Sequence, residues 1–225
     1  MSEPELEEKQ QELGPEAEPE SKPAPKPVLE RPRRSRRGRD IVGVLACVAV
    51  VLFARASLAD HYVVPSGSME PTVEVGDRVV VSKAAYGLRL PLSDVWIARW
   101  SGPHRGDVVV LESPESGTIL LKRVVAIPGD TVTVRDGALA INGVHIEMAG
   151  NVEDLDGKRH DVSLTLGGGP DFGPTTLPKA RFLVMGDNRG NSRDGRMFGL
   201  VDGATILGRA EKIYYRGGTF SWRDL

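Results

Sequence analysis

The chain contains one cysteine, Cys47. No intramolecular disulfide can staple it in any compartment, and Cys47 reads as a small apolar residue within an apolar stretch. Aromatic side chains are only 5 % of the sequence while glycines number 26, a balance that favours a turn-rich β domain over a helical bundle. The four histidines, His61, His104, His145 and His160, lack a recognisable catalytic setting, although a Ser-His-Asp triad is spatial and stays open in principle. No His or Cys accompanies the carboxylate clusters, which argues against a transition-metal site. A calcium loop is the one metal alternative left. Neither a solenoid-type repeat nor a helical period of any length occurs after residue 64.

Net charge is also small, at -2, but it is unevenly spread. Residues 1–30 hold nine Glu against three Lys, and residues 31–40 hold six Arg and one Asp. The remainder carries 20 basic and 21 acidic side chains, so overall charge gives no reason to expect nucleic acid as a partner. The Glu/Pro-rich start cannot bury enough surface to offset the entropy of ordering, and reads as a disordered spacer. The arginines beside an apolar stretch fit the positive-inside rule, with the N-terminus cytoplasmic and the rest of the chain translocated.

That apolar stretch, Ile41 to Ala54, is 14 residues long and ends at Arg55, whereas a span needs about 20. Extension to residue 63 supplies the length if Arg55 snorkels to the outer headgroups. The competing reading is a cleavable signal peptide, which gives the same orientation. The expected organisation is therefore a cytoplasmic tail over 1–40, a single transmembrane anchor over 41–63 and an extracytoplasmic β-rich domain over 64–225.

Beyond residue 60 the texture is β. Arg78–Ser82 and Asp107–Leu111 are short strands, each marked at its start by a Gly-Asp pair, Gly76-Asp77 and Gly106-Asp107. Thr131–Val134 and Ala138–Ile141, punctuated by Asp136-Gly137 and Asn142-Gly143, predict a meander with primed turns. Residues 150–180 read as a long polar, glycine-rich loop or a weak insertion. Phe182–Met185 is a further buried strand.

Two features carry chemistry. Ser66 and Ser68 stand two apart in a loop framed by Pro65 and Pro71, so an extended segment presents both hydroxyls on one face. One could attack a carbonyl while the other donates to the oxyanion. Lys122 interrupts the apolar run Ile119–Ile127. With alternating strand geometry it shares a face with Leu120, Val124 and Ala126, and desolvation there would lower its pKa into the range of a working base. The opposing reading is an edge-strand lysine that snorkels to water. The polar run 186–196 suggests a network in which Asp194 pairs with Arg123 and Arg196, with Ser192 orienting the Lys122 amine.

Together these segments resemble the bacterial type I signal peptidases. Ser66-Gly67-Ser68-Met69-Glu70-Pro71-Thr72 looks like the family's S-G-S-M-x-P-T box, and Gly76–Val79 with Tyr86–Pro91 is similar to the segment next to that box in the family. Arg105–Val109, Lys122–Asp130 and Gly186–Asp194 match the later boxes in order. The resemblance implies a mainly β fold: a signal-peptidase-like antiparallel sheet or barrel behind one N-terminal transmembrane helix and a disordered tail. It implies a serine endopeptidase removing signal peptides from exported preproteins after small residues, A-x-A type. Ser68 would be nucleophile and Lys122 general base. Ser66 and the Ser68 N–H would line the oxyanion hole, and Ser192 would position Lys122. Val64, Pro65, Met69, Leu120 and Leu121 would bind substrate, while Arg123, Asp187, Asp194 and Arg196 would support the site. No cofactor or metal is implied. The partners would be preproteins, the bilayer and the secretion translocon, at the bacterial cytoplasmic membrane. Gly190 and Gly195 stand where the family has Asp and Ser. The alternatives are a soluble Ser-Lys self-cleaving regulator, and a membrane-tethered β domain that binds partners without catalysis.

Overall fold

The computed structural model describes residues 36–89 and 96–225. The chain divides into two units, Met1–Ile41 and Val42–Leu225. Of the first, the described residues form the opening turns of helix α1 (Arg36–Ser57). The tail expected over 1–40 lies outside the described residues as far as 35, and residues 36–40 are already helical. The helix exposes its apolar side chains, among them Val42, Val44, Leu45 and Val50. Among the described residues no helix is long and apolar enough to cross a membrane.

The second unit, beyond the rest of α1, is built almost wholly of antiparallel strands. β1 (Ala59–Val63), β2 (Arg78–Ser82), the pair β3 (Gly87–Arg89) and β4 (Trp96–Arg99), β5 (Val108–Glu112) and β6 (Ile119–Ala126) come first. Then come β7 (Thr131–Arg135), β8 (Ala138–Ile141), β9 (Val144–His145), β10 (Met148–Ala149), β11 (Val152–Leu155), β12 (Lys158–Asp161) and β13 (Phe172–Thr176). β14 (Arg181–Met185), the one-turn helix α2 (Gly195–Phe198), β15 (Val201–Asp202), β16 (Ile206–Arg216) and β17 (Thr219–Asp224) complete the order.

The main sheet runs β1-β2-β16-β5-β6-β14-β15, with β17 also on β16. β1 pairs with β2 from Ala59↔Ser82 to Val63↔Arg78. This shortens the expected anchor: residues 59–63 belong to the sheet. Asp60, held by Lys83 at 2.9 Å, and His61 make this stretch polar enough to need a partner strand.

The expected meander is present. Leu139, Ile141, Val132 and Val134 point into one core, and both two-residue loops place each residue in the left-handed region: φ is 45° and 79° at Asp136-Gly137, and 54° and 81° at Asn142-Gly143. Those angles are what a primed hairpin turn requires. Residues 150–180, however, are more structured than a loop. A third such turn at Asp156-Gly157 joins β11 to β12, Leu155 facing Lys158, and β13 docks on β7.

Three apolar clusters hold the unit. One packs Val125, Val132, Leu139, Leu183 and Met185. A second gathers Tyr86, Leu111, Val124, Phe182 and Ile206. The third contains Val64, Met69, Val73, Val79, Val108 and Ile213. It bears most directly on the site, because three of its members come from the loop between β1 and β2.

Candidate active site

That loop carries the Gly/Pro-framed serines, and several contacts fix it. Val64 N–H donates to the Asp77 carbonyl, and Gly76 N–H to the Val64 carbonyl, each at 2.9 Å. Arg216 of β16 reaches in to Asp77 and donates to the Thr72 carbonyl at 2.9 Å. A single 3₁₀ turn, Gly67–Met69, lifts Ser68, while Met69, 1 % exposed, is plugged into the core below. Burying a side chain of that size contributes about 1.5–3 kcal/mol and pins the residue next to Ser68.

A second segment clamps the turn. After β14, the Asn188 N–H donates to the Ser68 carbonyl and the Asn188 Nδ2 to the Gly67 carbonyl, both at 3.1 Å. The close approach needs a glycine at 186: a Cβ there would stand 2.4 Å from the Ser68 carbonyl oxygen and 2.3 Å from Ser192 Oγ.

Lys122 comes from the middle of β6. Its Nζ lies 2.6 Å from Ser68 Oγ, and the residue is 3 % exposed. Burial lowers its pKa to about 8, against an upward pull from Asp194 and Asp187; Arg196 adds to the lowering. At neutral pH an appreciable minority of the molecules therefore carries a free lone pair facing a hydroxyl.

Arg123 points the other way and is also buried. It pairs with Asp187, Nε to Oδ1 at 2.9 Å and Nη2 to Oδ2 at 2.7 Å, and donates to the Gly106 carbonyl at 2.7 Å. Thr72 Oγ1 adds a 2.6 Å bond to Asp187. Burial pushes the Asp187 carboxyl up, but the Arg123 guanidinium outweighs it and holds the group below the usual carboxylate range. This corrects the expected Asp194–Arg123 pair. Met185 is the register partner of Arg123, so Asp187, two residues on, is the carboxylate in reach. The other expected partner of Asp194 is present: it binds Arg196 through both oxygens, at 2.8 and 2.7 Å, and accepts the Gly186 N–H at 3.0 Å.

The other expected site residues fall in four places. Ser66 precedes the 3₁₀ turn in extended conformation, its side chain exposed. Ser192 is buried beside Gly186, but its Oγ makes no hydrogen bond to Lys122 or any other described residue. Val64, Pro65, Leu120 and Leu121 line a cleft of about 180 Å³ between the end of β1 and the start of β6, with Val79 and Val110 also in its wall. Met69 does not line that cleft; it is core.

Sequence reasoning missed a buried cluster behind the site. Arg189, 1 % exposed, donates to both Glu153 oxygens at 3.2 and 2.7 Å. His160 Nε2 lies 3.2 Å from the same carboxylate. Burial pushes Glu153 up, and His160 with Arg189 more than reverses this. Arg189 lies in a recognised motif, but nothing in the pattern of β11 or β12 marks Glu153 or His160 as interior. Among the described residues no group of His, Cys, Asp and Glu could hold a metal ion.

Residues 39–215 match the family described as signal peptidase, peptidase S26. The chain belongs to this family. It is 34 % identical over 209 residues to signal peptidase I of Pseudomonas aeruginosa, covering 78 % of this chain and 69 % of that protein. To signal peptidase I P of Bacillus subtilis subsp. natto it is 33 % identical over 191 residues, covering 83 % and 93 %. A crystal structure of a signal peptidase I from Enterococcus faecalis aligns at 34 % identity with a TM-score of 0.38, over 48 % of this chain and 95 % of that one. The activity is that of signal peptidase I, a serine peptidase, and its substrates are preproteins bearing signal peptides.

Proposed function

We propose that Ser68 and Lys122 make and break the bonds. The 2.6 Å contact between Ser68 Oγ and a 3 % exposed amine carries this reading. Neutral Lys122 takes the Ser68 proton as Oγ adds to the scissile carbonyl carbon. The oxyanion is met by the Ser68 N–H and the Ser66 hydroxyl, which rotates in from its exposed position. Protonated Lys122 then gives its proton to the leaving nitrogen. The mature protein departs as an amine, and the signal peptide stays as an ester on Ser68. Lys122 next takes a proton from a water as its oxygen adds to the ester carbonyl, then returns that proton to Ser68 Oγ as the C–Oγ bond breaks and the carboxylate product leaves. Ser192 supplies a buried hydroxyl beside this path and serves to hold the amine during turnover.

The 180 Å³ cleft takes the residues before the cut. It is smaller than most ligand pockets and suits alanine-sized side chains of an A-x-A sequence. The outer edge of β1 and the start of β6, ahead of its pairing with β14, offer backbone groups for an added strand. The bilayer reading is supported by sequence: 14 uncharged residues, Ile41 to Ala54, follow an arginine cluster, and those described among them, Val42, Val44, Leu45 and Val50 included, expose apolar side chains. In this reading the tail is cytoplasmic, and the unit from residue 64 works outside beside the translocon.

Preprotein cleavage by the full chain in liposomes tests the dyad. Ser68→Ala and Lys122→Ala each abolish cleavage while folding is kept; cleavage retained by both refutes the assignment and favours a triad elsewhere.

A further inference from the structure

We propose that Glu70 lets this enzyme read the charge of the first residues after the cut, favouring cationic over anionic ones. The inference rests on Ser68 as the nucleophile and on the 180 Å³ cleft as the site for residues before the cut. Glu70 fills the one open position of the S-G-S-M-x-P-T box. Its side chain folds back over the turn that carries Ser68: a Cβ added at Gly67 would stand 2.8 Å from its Cδ and Oε1 and 2.9 Å from its Oε2. Its own N–H closes that turn onto the Gly67 carbonyl at 3.2 Å.

Four arginine-paired carboxylates stand near the loop. Asp187 is held by Arg123, Asp194 by Arg196, and Asp77 and Glu74 by Arg216. Glu70 is only partly exposed, and among the described residues its carboxylate has no ion pair or hydrogen bond. A free negative charge beside the nucleophile acts on whatever the substrate brings past it.

Substrate direction is set by the cleft. Val64 and Pro65, just before Ser68 in the chain, line it with Leu120 and Leu121. Glu70, two residues past Ser68, is not among its lining residues. An extended peptide with its early residues in the cleft and its scissile carbonyl at Ser68 Oγ leaves on the side away from the cleft, where in this proposal its first side chains after the cut meet the Glu70 carboxylate.

The test uses the full chain in liposomes and one preprotein made in three forms, with Lys, Gln or Glu at both of the first two positions after the cut. For the wild type, kcat/KM falls from Lys to Gln to Glu, by about tenfold between the ends at low salt and less at high salt. Glu70→Gln narrows the spread to within about twofold and leaves the Gln form cut at the wild-type rate. Glu70→Lys reverses the order. A spread that is absent in the wild type, or unchanged in Glu70→Gln, overturns the proposal. So does loss of cleavage of the Gln form in both variants, since Glu70 would then serve the turn and not the substrate's charge. Failure of the Ser68 assignment shows separately, as cleavage by Ser68→Ala.

Discussion

Lys122 and Arg123 are adjacent in β6 and project to opposite faces, one amine 2.6 Å from Ser68 Oγ, one guanidinium clamped by Asp187 at 2.9 and 2.7 Å. The ion pair anchors the strand from behind, so the amine cannot drift from the hydroxyl without breaking a buried salt bridge.

Breaking that pair is costly. Asp187→Asn leaves the Arg123 charge buried without a counterion, a loss of about 3–5 kcal/mol. Urea unfolding measures it. The double variant Arg123→Met with Asp187→Leu recovers most of the loss, because no orphaned charge remains. A double variant as unstable as the single would mean that shape, not charge, is at stake.

Activity rises with pH on a single-proton limb. With the Lys122 pKa near 8, kcat/KM climbs about tenfold per pH unit below that value and levels off above it. Initial rates on a soluble signal-peptide substrate trace the limb. Lys122→Arg stays charged throughout, and its cleavage falls by at least about 10²-fold.

Stability carries the same signature with its own sign. Folded Lys122 loses its proton near pH 8 and the unfolded chain only near 10.5, so between these values the unfolded state binds more protons and stability rises with pH. Below pH 8 the full cost of burying the ammonium is present, about 3 kcal/mol. Lys122→Met is therefore more stable than wild type at pH 7. The gap closes by about pH 10.5, as paired denaturant titrations at several pH values will record.

Asn188 acts through the turn it holds. Asn188→Ala removes the bond to the Gly67 carbonyl, worth about 1 kcal/mol, and loosens Ser68 against Lys122. An approximately tenfold drop in kcat with little change in KM is expected. Asn188→Asp, of the same shape but unable to donate, behaves no better than alanine. Restored kcat in the aspartate variant would show that the side chain only fills space.

The features legible ahead of the structure are those that local physics dictates. The turns at Asp136-Gly137 and Asn142-Gly143 announce themselves because few residue pairs tolerate two left-handed conformations in succession. Lys122 stands out because its strand is otherwise apolar. The β11–β12 hairpin has the same turn signal at Asp156-Gly157, yet its strands read Val-Glu-Asp-Leu and Lys-Arg-His-Asp. Their interior positions include Glu153 and His160; the Glu153 charge is met by Arg189, thirty-six residues away, and an alternation of apolar groups cannot report such a pair. Two carboxylates, Asp187 and Asp194, compete for Arg123, and only strand register assigns the partner. Met69 reads equally as pocket or core until the depth of its turn is known. The end of the apolar helix at Ser57 is hidden because the next residues include apolar ones that belong to a strand.

Gly190, which replaces the family's usual aspartate, lies against another stretch of backbone. A Cβ there would sit 2.1 Å from the Leu166 carbonyl oxygen, and Arg196 ties the same stretch down at the Gly168 carbonyl. The substitution and the 164–169 segment are thus two halves of one fitted joint. A side chain put at 190 alone would jam it, so chimeras built to probe specificity must carry both pieces across together.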